Sequence, residues 1–202
     1  MLTRDEEIRI AEAVRDAEAK TAGEIVVVVA RQAATYRSAA PIWAMIFALA
    51  TPPILLSLTD WSAARIFTSQ ILVAVALNTL LSISRVRIHL VPRFIREARA
   101  HDAARREFLN RGLSRTSGRT GVLIYVAAAE HFAEVIADTG IADKAGSAAW
   151  EDIIAELIGA IRDNRAGDGL VAAVARTGAI LAEHAPPAVS DRDELPNKVI
   201  QI

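Results

Sequence analysis

The sequence predicts an α/β fold: a small mixed sheet sandwiched by helices, interrupted by a two-helix transmembrane hairpin. Three observations carry this expectation. The runs EIVVVVA over 24–30 and GVLIYVA over 121–127 are rich in β-branched residues and bounded by turn formers. Between them lie two charge-free runs, SAAPIWAMIFALATPPILLSLT over 38–59 and IFTSQILVAVALNTLLSIS over 66–84, each long enough to cross a hydrocarbon core of about 30 Å as a helix. On either side of these segments, apolar residues recur with the helical period.

The chain opens with TRDEEIRIAEAVRDAEAKTAG, in which Thr3 and Glu6 have capping-box spacing and Asp5, Glu6 and Glu7 favour the positive end of a helix dipole. Ile10, Ala13, Val14 and Ala17 form its apolar side, and Gly23 is the expected stop. The four consecutive valines that follow suit a strand covered by helices on both faces. The charge-free runs come next, joined only by DWSAAR, with Trp61 where an amphipathic ring meets the interface. A pair of buried core helices is the alternative, favoured by Gln70, Asn78 and the break expected at Pro52 and Pro53; a core helix, however, keeps one polar face. The segment follows a helix and a strand and lacks a basic leader and cleavage site, so it does not read as a signal peptide. Arg31 and Arg37 precede the hairpin and Arg85, Arg87, Arg93, Arg96 and Arg99 follow it, whereas the loop has only Asp60 and Arg65. The positive-inside rule then places both soluble arms in the cytoplasm and the short loop outside, in a two-pass protein of the cell (inner) membrane.

Past the hairpin, RFIREARAHDAARREFLNRGL reads as a helix ended by Gly112. GVLIYVA turns at AAEH into HFAEVIAD, whose alternation sets Phe132, Glu134, Ile136 and Asp138 on one side and Ala133, Val135 and Ala137 on the other, as in a β-hairpin. Trp150, Ile153, Ile154, Leu157, Ile158 and Ile161 form the clearest helical stripe. NRAGDG restarts the chain, with Asp168 placed to cap a last helix lined by Leu170, Val171, Val174, Gly178 and Leu181 and ended by Pro186 and Pro187. The tail VSDRDELPNKVIQI packs along the surface or extends as a short strand. The resulting organisation is 1–37 as the first part of a cytoplasmic α/β domain, 38–85 as the membrane hairpin, 86–185 as the rest of the domain and 186–202 as a C-terminal tail. Neither arm alone has strands enough for a sheet, so the two must fold together.

With 202 residues, 52% of them apolar, net charge −1 and no cysteine, the chain excludes disulfides, thiolate metal sites and cysteine nucleophiles. Near-neutral charge without a basic, aromatic-interleaved stripe gives no footprint for nucleic acid. No catalytic residues are assigned. The four histidines, at 89, 101, 131 and 184, have no metal-binding spacing. RTSGRTG has glycines and arginines that suit an anion cradle, but it lacks Walker spacing and reads better as a flexible surface loop. Asp138, Asp143 and Asp168 are the candidate metal ligands, weak because hard cations want six or more oxygens and because Asp143 and Asp168 read more simply as helix caps. Asp193, Glu194 and Asn197 of DELPN suit either a cation or a turn fixed by Pro196.

RTGVLIYVAAAEHFAEVIADTGI, with TAGEIVVVVA upstream and DGLVAAVARTGAILAEH and DELPN downstream, resembles the TPM-domain family, in particular its bacterial membrane-anchored branch. The resemblance spans the chain outside the two membrane runs. It implies helices around a small sheet, and kinship with thylakoid-lumen proteins linked to photosystem repair. It also implies divalent cations, calcium or magnesium, and a proposed phosphatase activity, through carboxylates near the start of the central hairpin. There this chain departs, having Arg119, Thr120 and Gly121 where the family commonly has an acidic residue and Asn before the glycine. Two functions follow: a membrane-anchored interaction module assisting assembly, repair or turnover of other membrane proteins, or a divalent-cation-dependent phosphatase-like hydrolase. The module is favoured. Its expected partners are the lipid bilayer, another membrane protein and, as a homo-oligomer, a second copy of the chain.

Overall fold

A computed structural model describes residues 2–83, 87–116, 118–187 and 199–202. The elements are α1 (Arg4–Glu18), β1 (Glu24–Ala30), α2 (Ala39–Leu58), α3 (Ala63–Leu81), α4 (Arg93–Asn110), β2 (Gly121–Ala127), β3 (Phe132–Ala137), α5 (Thr139–Ala145), α6 (Ser147–Arg162), α7 (Ala166–His184) and β4 (Val199–Gln201). The chain divides into two compact units, one of residues 1–34 and 97–202 and the other of 35–96.

The first unit is built on a four-stranded mixed sheet in the order β3-β2-β1-β4. β1 pairs parallel with β2 from Glu24↔Gly121 to Ala30↔Ala127, and parallel with β4 on its other side. β2 pairs antiparallel with β3. The strand that precedes the apolar hairpin thus lies between two that follow it, so the two arms share one sheet. Every residue of β1 and β2 is buried, as the valine run implies. Ile25, Val27, Val29, Val122, Ile124 and Val126 enter one core with residues of α1, α6 and α7. Val26, Val28, Leu123 and Tyr125 enter a second core with Ala100, Ala103, Ala104 and Phe108 of α4. Helices therefore cover both faces. β3 keeps the expected alternation, with Ala133, Val135 and Ala137 toward the first core and Phe132 and Ile136 toward the second.

α1 begins with the capping box: the Glu6 amide donates to Thr3 Oγ1 at 3.3 Å and the Thr3 amide donates to the Glu6 carboxylate at 2.7 Å. The Thr3 amide, then its hydroxyl, holds the Glu6 carboxyl below its ordinary value of 4.5. Glu6 therefore adds stability that is present above that value and is lost as pH falls through its lowered folded pKa. Thr3→Ala is expected to cost about 1 kcal/mol, seen as a lower unfolding midpoint at pH 7 in detergent, with the deficit shrinking under acid.

Several details differ from the sequence expectation. α1 ends at Glu18, not at Gly23. Gly23 instead permits a close approach, since a Cβ there would lie 2.6 Å from Leu181 Cδ2 of α7. Thr21 fixes that approach by donating to the Ala185 carbonyl at 2.6 Å. A short helix, α5, follows β3 directly. The tail takes the second of its two expected forms, the short strand β4, which extends the sheet on the β1 side. DELPN, over 193–197, lies outside the described residues.

The second unit contains α2 and α3, of 20 and 19 residues, with 17% and 11% of their most apolar windows buried. Ala40, Ala44 and Ala48 are the buried residues of α2, while Met45, Phe47, Leu49, Leu56, Phe67, Leu72 and Val75 are exposed. Helices of a soluble core would bury these large side chains. Both helices are long and apolar enough to cross a membrane. α2 runs through Pro52 and Pro53 without breaking, and the Thr51 hydroxyl donates back to the Phe47 carbonyl at 2.9 Å. Apolar helices tolerate proline where a hydroxyl or neighbouring helix compensates the missing donor.

Candidate functional site

The most constrained polar cluster lies where β2 begins and β3 ends. Asp138 is 5% exposed and caps α5, its Oδ1 accepting from the Thr139 amide at 2.7 Å. Its own amide donates to the Gly121 carbonyl at 2.9 Å, which fixes it to β2. Arg119 Nε stands 3.4 Å from its other carboxylate oxygen. Arg119 has φ +52°, a left-handed conformation unusual for a side-chain-bearing residue. Its amide donates to the Thr116 carbonyl at 3.0 Å and its carbonyl accepts from the Gly140 amide at 3.0 Å. The Thr120 amide donates to Thr116 Oγ1 at 3.2 Å, and Thr120 Oγ1 donates to the Ala22 carbonyl at 3.2 Å. The described part of the RTSGRTG segment is thus a pinned turn rather than a flexible loop, and the Arg119 and Thr120 amides are already used. Glu24, also buried, sits at the same end of the sheet, opposite Gly121 in register.

The three candidate carboxylates occupy separate places. Asp138 is the buried cap just described. Asp143 is exposed within α5 and does not cap α6, whose N-cap is Gly146. Asp168 lies in the first turn of α7, one turn inside the N-cap Arg165, and pairs with Arg9 at 2.9 Å between two half-exposed side chains. Among the described residues no three Asp, Glu or His converge as a group that could hold a metal. Asp138 with Arg119 can order a turn and neutralise a buried charge; by itself it supplies one carboxylate, far short of a hard-cation shell.

A second polar cluster lies between β3 and α4. His101 Nδ1 and Glu134 Oε1 are 2.7 Å apart. Glu134 shares its strand face with Phe132 and Ile136, as the alternation predicts, and is largely covered. Burial raises its pKa above 4.5, opposed by the hydrogen bond and charge of His101 and by Arg105. A raised carboxyl contributes stability that is present below pH 4.5 and lost as pH rises through the folded value. Glu134→Gln is therefore expected to gain stability relative to the wild type as pH rises from 4 toward 7; denaturant midpoints across that range check it. Nearby, burial, with Glu130 and Glu107 acting in the same sense and Arg106 opposing, pushes the Tyr125 hydroxyl up to about 12, so it stays a proton donor at neutral pH. Glu130 accepts from the Ala33 amide at 3.1 Å, tying the end of β1 to the β2–β3 turn.

Sequence reasoning missed the His101–Glu134 pair because its members are 33 positions apart. A signal existed: the alternation of β3 puts Glu134 on the face that the alanine stripe of α4 covers. Arg119 entered the reading only as a departure from a motif, whereas it closes the buried face of Asp138.

A family model described as the TPM domain matches residues 62–180, more than half of the chain. Among solved structures, the NMR structure of BA42 protein from the psychrophilic bacteria Bizionia argentinensis sp. nov. is similar in fold, with a TM-score of 0.62 and 22% identity over 100% of this chain and 96% of that one. No curated protein matches the sequence.

Proposed function

The chain belongs to the TPM domain family, and from that premise we propose that it is a membrane-anchored interaction module that assists the assembly, repair or turnover of other membrane proteins. The observation that carries this reading is the hairpin of α2 and α3, which comes between β1 and β2 in the chain and leaves many of its large apolar side chains exposed. Such a surface is unfavourable in water and suits lipid. We place the hairpin in the cell (inner) membrane with the sheet domain in the cytoplasm, on the arginines that flank it. Its partners are then the bilayer, another integral membrane protein and a second copy of the chain. The separation of Asp138, Asp143 and Asp168 supports binding over hydrolysis, since phosphoryl transfer needs a charge clamp and oriented groups at one point.

The test is phosphomonoester hydrolysis by the detergent-purified chain, with calorimetric titration of calcium, magnesium and manganese, on the wild type, Asp138→Ala and Asp138→Asn. The module predicts no turnover above buffer in any of the three. Turnover that needs a saturating cation and disappears in both variants while the fold persists would overturn it in favour of a cation-dependent hydrolase.

A further inference from the structure

We propose that Arg87 and Arg96 each bind the phosphate group of an anionic phospholipid, an inference that rests on reading the hairpin as a membrane anchor. Residues 85–99 carry five arginines and His89 against one acid, Glu97. Two of the arginines stand apart from ordinary surface charges. The Nε atoms of Arg87 and Arg96 are shielded from solvent and have no hydrogen-bond acceptor, though both residues are only half-buried. Neither guanidinium has an ion pair among the described residues, whereas Arg93 is already engaged. A planar guanidinium with an unused donor matches a phosphate oxygen better than water does, because its fork can hold two oxygens at once.

Both residues lie in the compact unit that contains the hairpin. Their backbones are fixed there: the Arg87 amide donates to the Ile83 carbonyl at 3.0 Å and the Arg96 amide to the Pro92 carbonyl at 3.2 Å. Between them, Ile88 and Val91 are buried. The Leu90 carbonyl accepts from Trp43 Nε1, at the start of α2, at 3.0 Å. The segment is thus held before a ligand arrives, which lowers the ordering cost of binding. Beside Arg96, Phe94 is 70% exposed and Ile95 is 37% exposed. Guanidiniums next to exposed apolar side chains suit the boundary where headgroups meet acyl chains. The occupant we assign is a phospholipid rather than a free anion or a soluble partner, because the basic segment continues directly from the lipid-suited surface of α3.

Native mass spectrometry of the detergent-purified full chain, titrated with phosphatidylglycerol and separately with phosphatidylcholine, tests the site on the wild type, R87Q/R96Q, R87K/R96K and, as a charge-matched control on α1, R4Q/R15Q. Phosphatidylglycerol is expected to bind more tightly than phosphatidylcholine. R87Q/R96Q should weaken it by roughly 25-fold, about fivefold for each arginine, while R87K/R96K, which keeps the charge but not the fork, recovers part of the preference and R4Q/R15Q keeps all of it. Equal affinity for the two lipids, or an equal loss in R4Q/R15Q, would overturn the site. So would a loss in R87Q/R96Q that R87K/R96K does not lessen at all, since packing rather than charge would then be responsible. Alkaline extraction of the same proteins separates the two levels of the argument. A wild-type chain released from membranes would overturn the anchor itself; one that stays anchored yet shows no lipid preference would overturn only this inference.

Discussion

Leu72→Arg is expected to drive the protein out of the alkali-resistant membrane fraction, whereas Leu109→Arg is expected to leave it there. The two leucines are almost equally exposed, at 64% and 60%. In water, either substitution replaces an exposed apolar group with a charge and is close to neutral. Leu72, however, lies midway along α3, where an arginine at the centre of a spanning helix worsens insertion by about 3 kcal/mol relative to leucine, roughly a hundredfold in the partition. Leu109 sits at the end of α4 in the sheet-containing unit. Divergent behaviour of two equally exposed residues thus reports lipid at one and water at the other. Equal retention of both variants would mean that α3 does not sit in hydrocarbon.

Gly140→Ala is the substitution expected to damage the sheet domain most. A Cβ at this position would stand 2.3 Å from the Gly118 carbonyl oxygen and 2.6 Å from that of Arg119. Both obstacles are backbone atoms, so a side chain cannot swing away and the turn itself must move. That turn holds the left-handed Arg119 through the Gly140 amide, and Arg119 in turn covers Asp138. Overpacking alone costs about 1–3 kcal/mol, and a broken turn adds the loss of a charge partner for a buried carboxylate. Gly159→Ala provides the contrast: no atom lies within 4 Å of its added Cβ, on the exposed side of α6. It should stabilise the helix by about 0.5–1 kcal/mol. Unfolding midpoints that move in opposite directions for the two variants would support this account; a Gly140→Ala midpoint at or above the wild type would refute it.

The fold was legible wherever a segment was long and periodic. The valine run of β1, the alternation of β3 and the stripe from Trp150 to Ile161 each specify an element through the burial they require, and the structure meets those requirements. Short elements escaped. α5 is 7 residues, under two full turns, and its only fully buried residue is Ile141, which gives no period to read. β4, 3 residues long, is one of the two forms the tail allows, and it is a strand because β1 offers it an unpaired edge. That edge is a tertiary fact that no local pattern contains. Caps were misplaced for a related reason. Asp138 reads from sequence as a weak metal candidate because the short helix it caps has no pattern to show; Asp168 reads as a cap because the Gly-Asp-Gly spacing resembles a restart, although α7 begins two residues earlier. The candidate site was hardest, because its members come from distant stretches: Arg119 with Asp138, and His101 with Glu134. Spacing can suggest which face a residue occupies, but a partner from another element is settled only by packing.

Because β1 precedes α2 and α3 in the chain and pairs with β2 after them, the segments on either side of the two apolar helices belong to one sheet.

The most direct test of the anchor is the side of the membrane on which each part lies. The chain has no cysteine, so single cysteines can be introduced without a background. Ser62→Cys, in the exposed turn before α3, and Ser147→Cys, exposed at the start of α6, would be treated in intact spheroplasts with a membrane-impermeant maleimide. A two-pass anchor with a cytoplasmic domain predicts that Ser62→Cys is labelled at once and Ser147→Cys only after permeabilisation. Labelling of both without permeabilisation, or of neither, would contradict it.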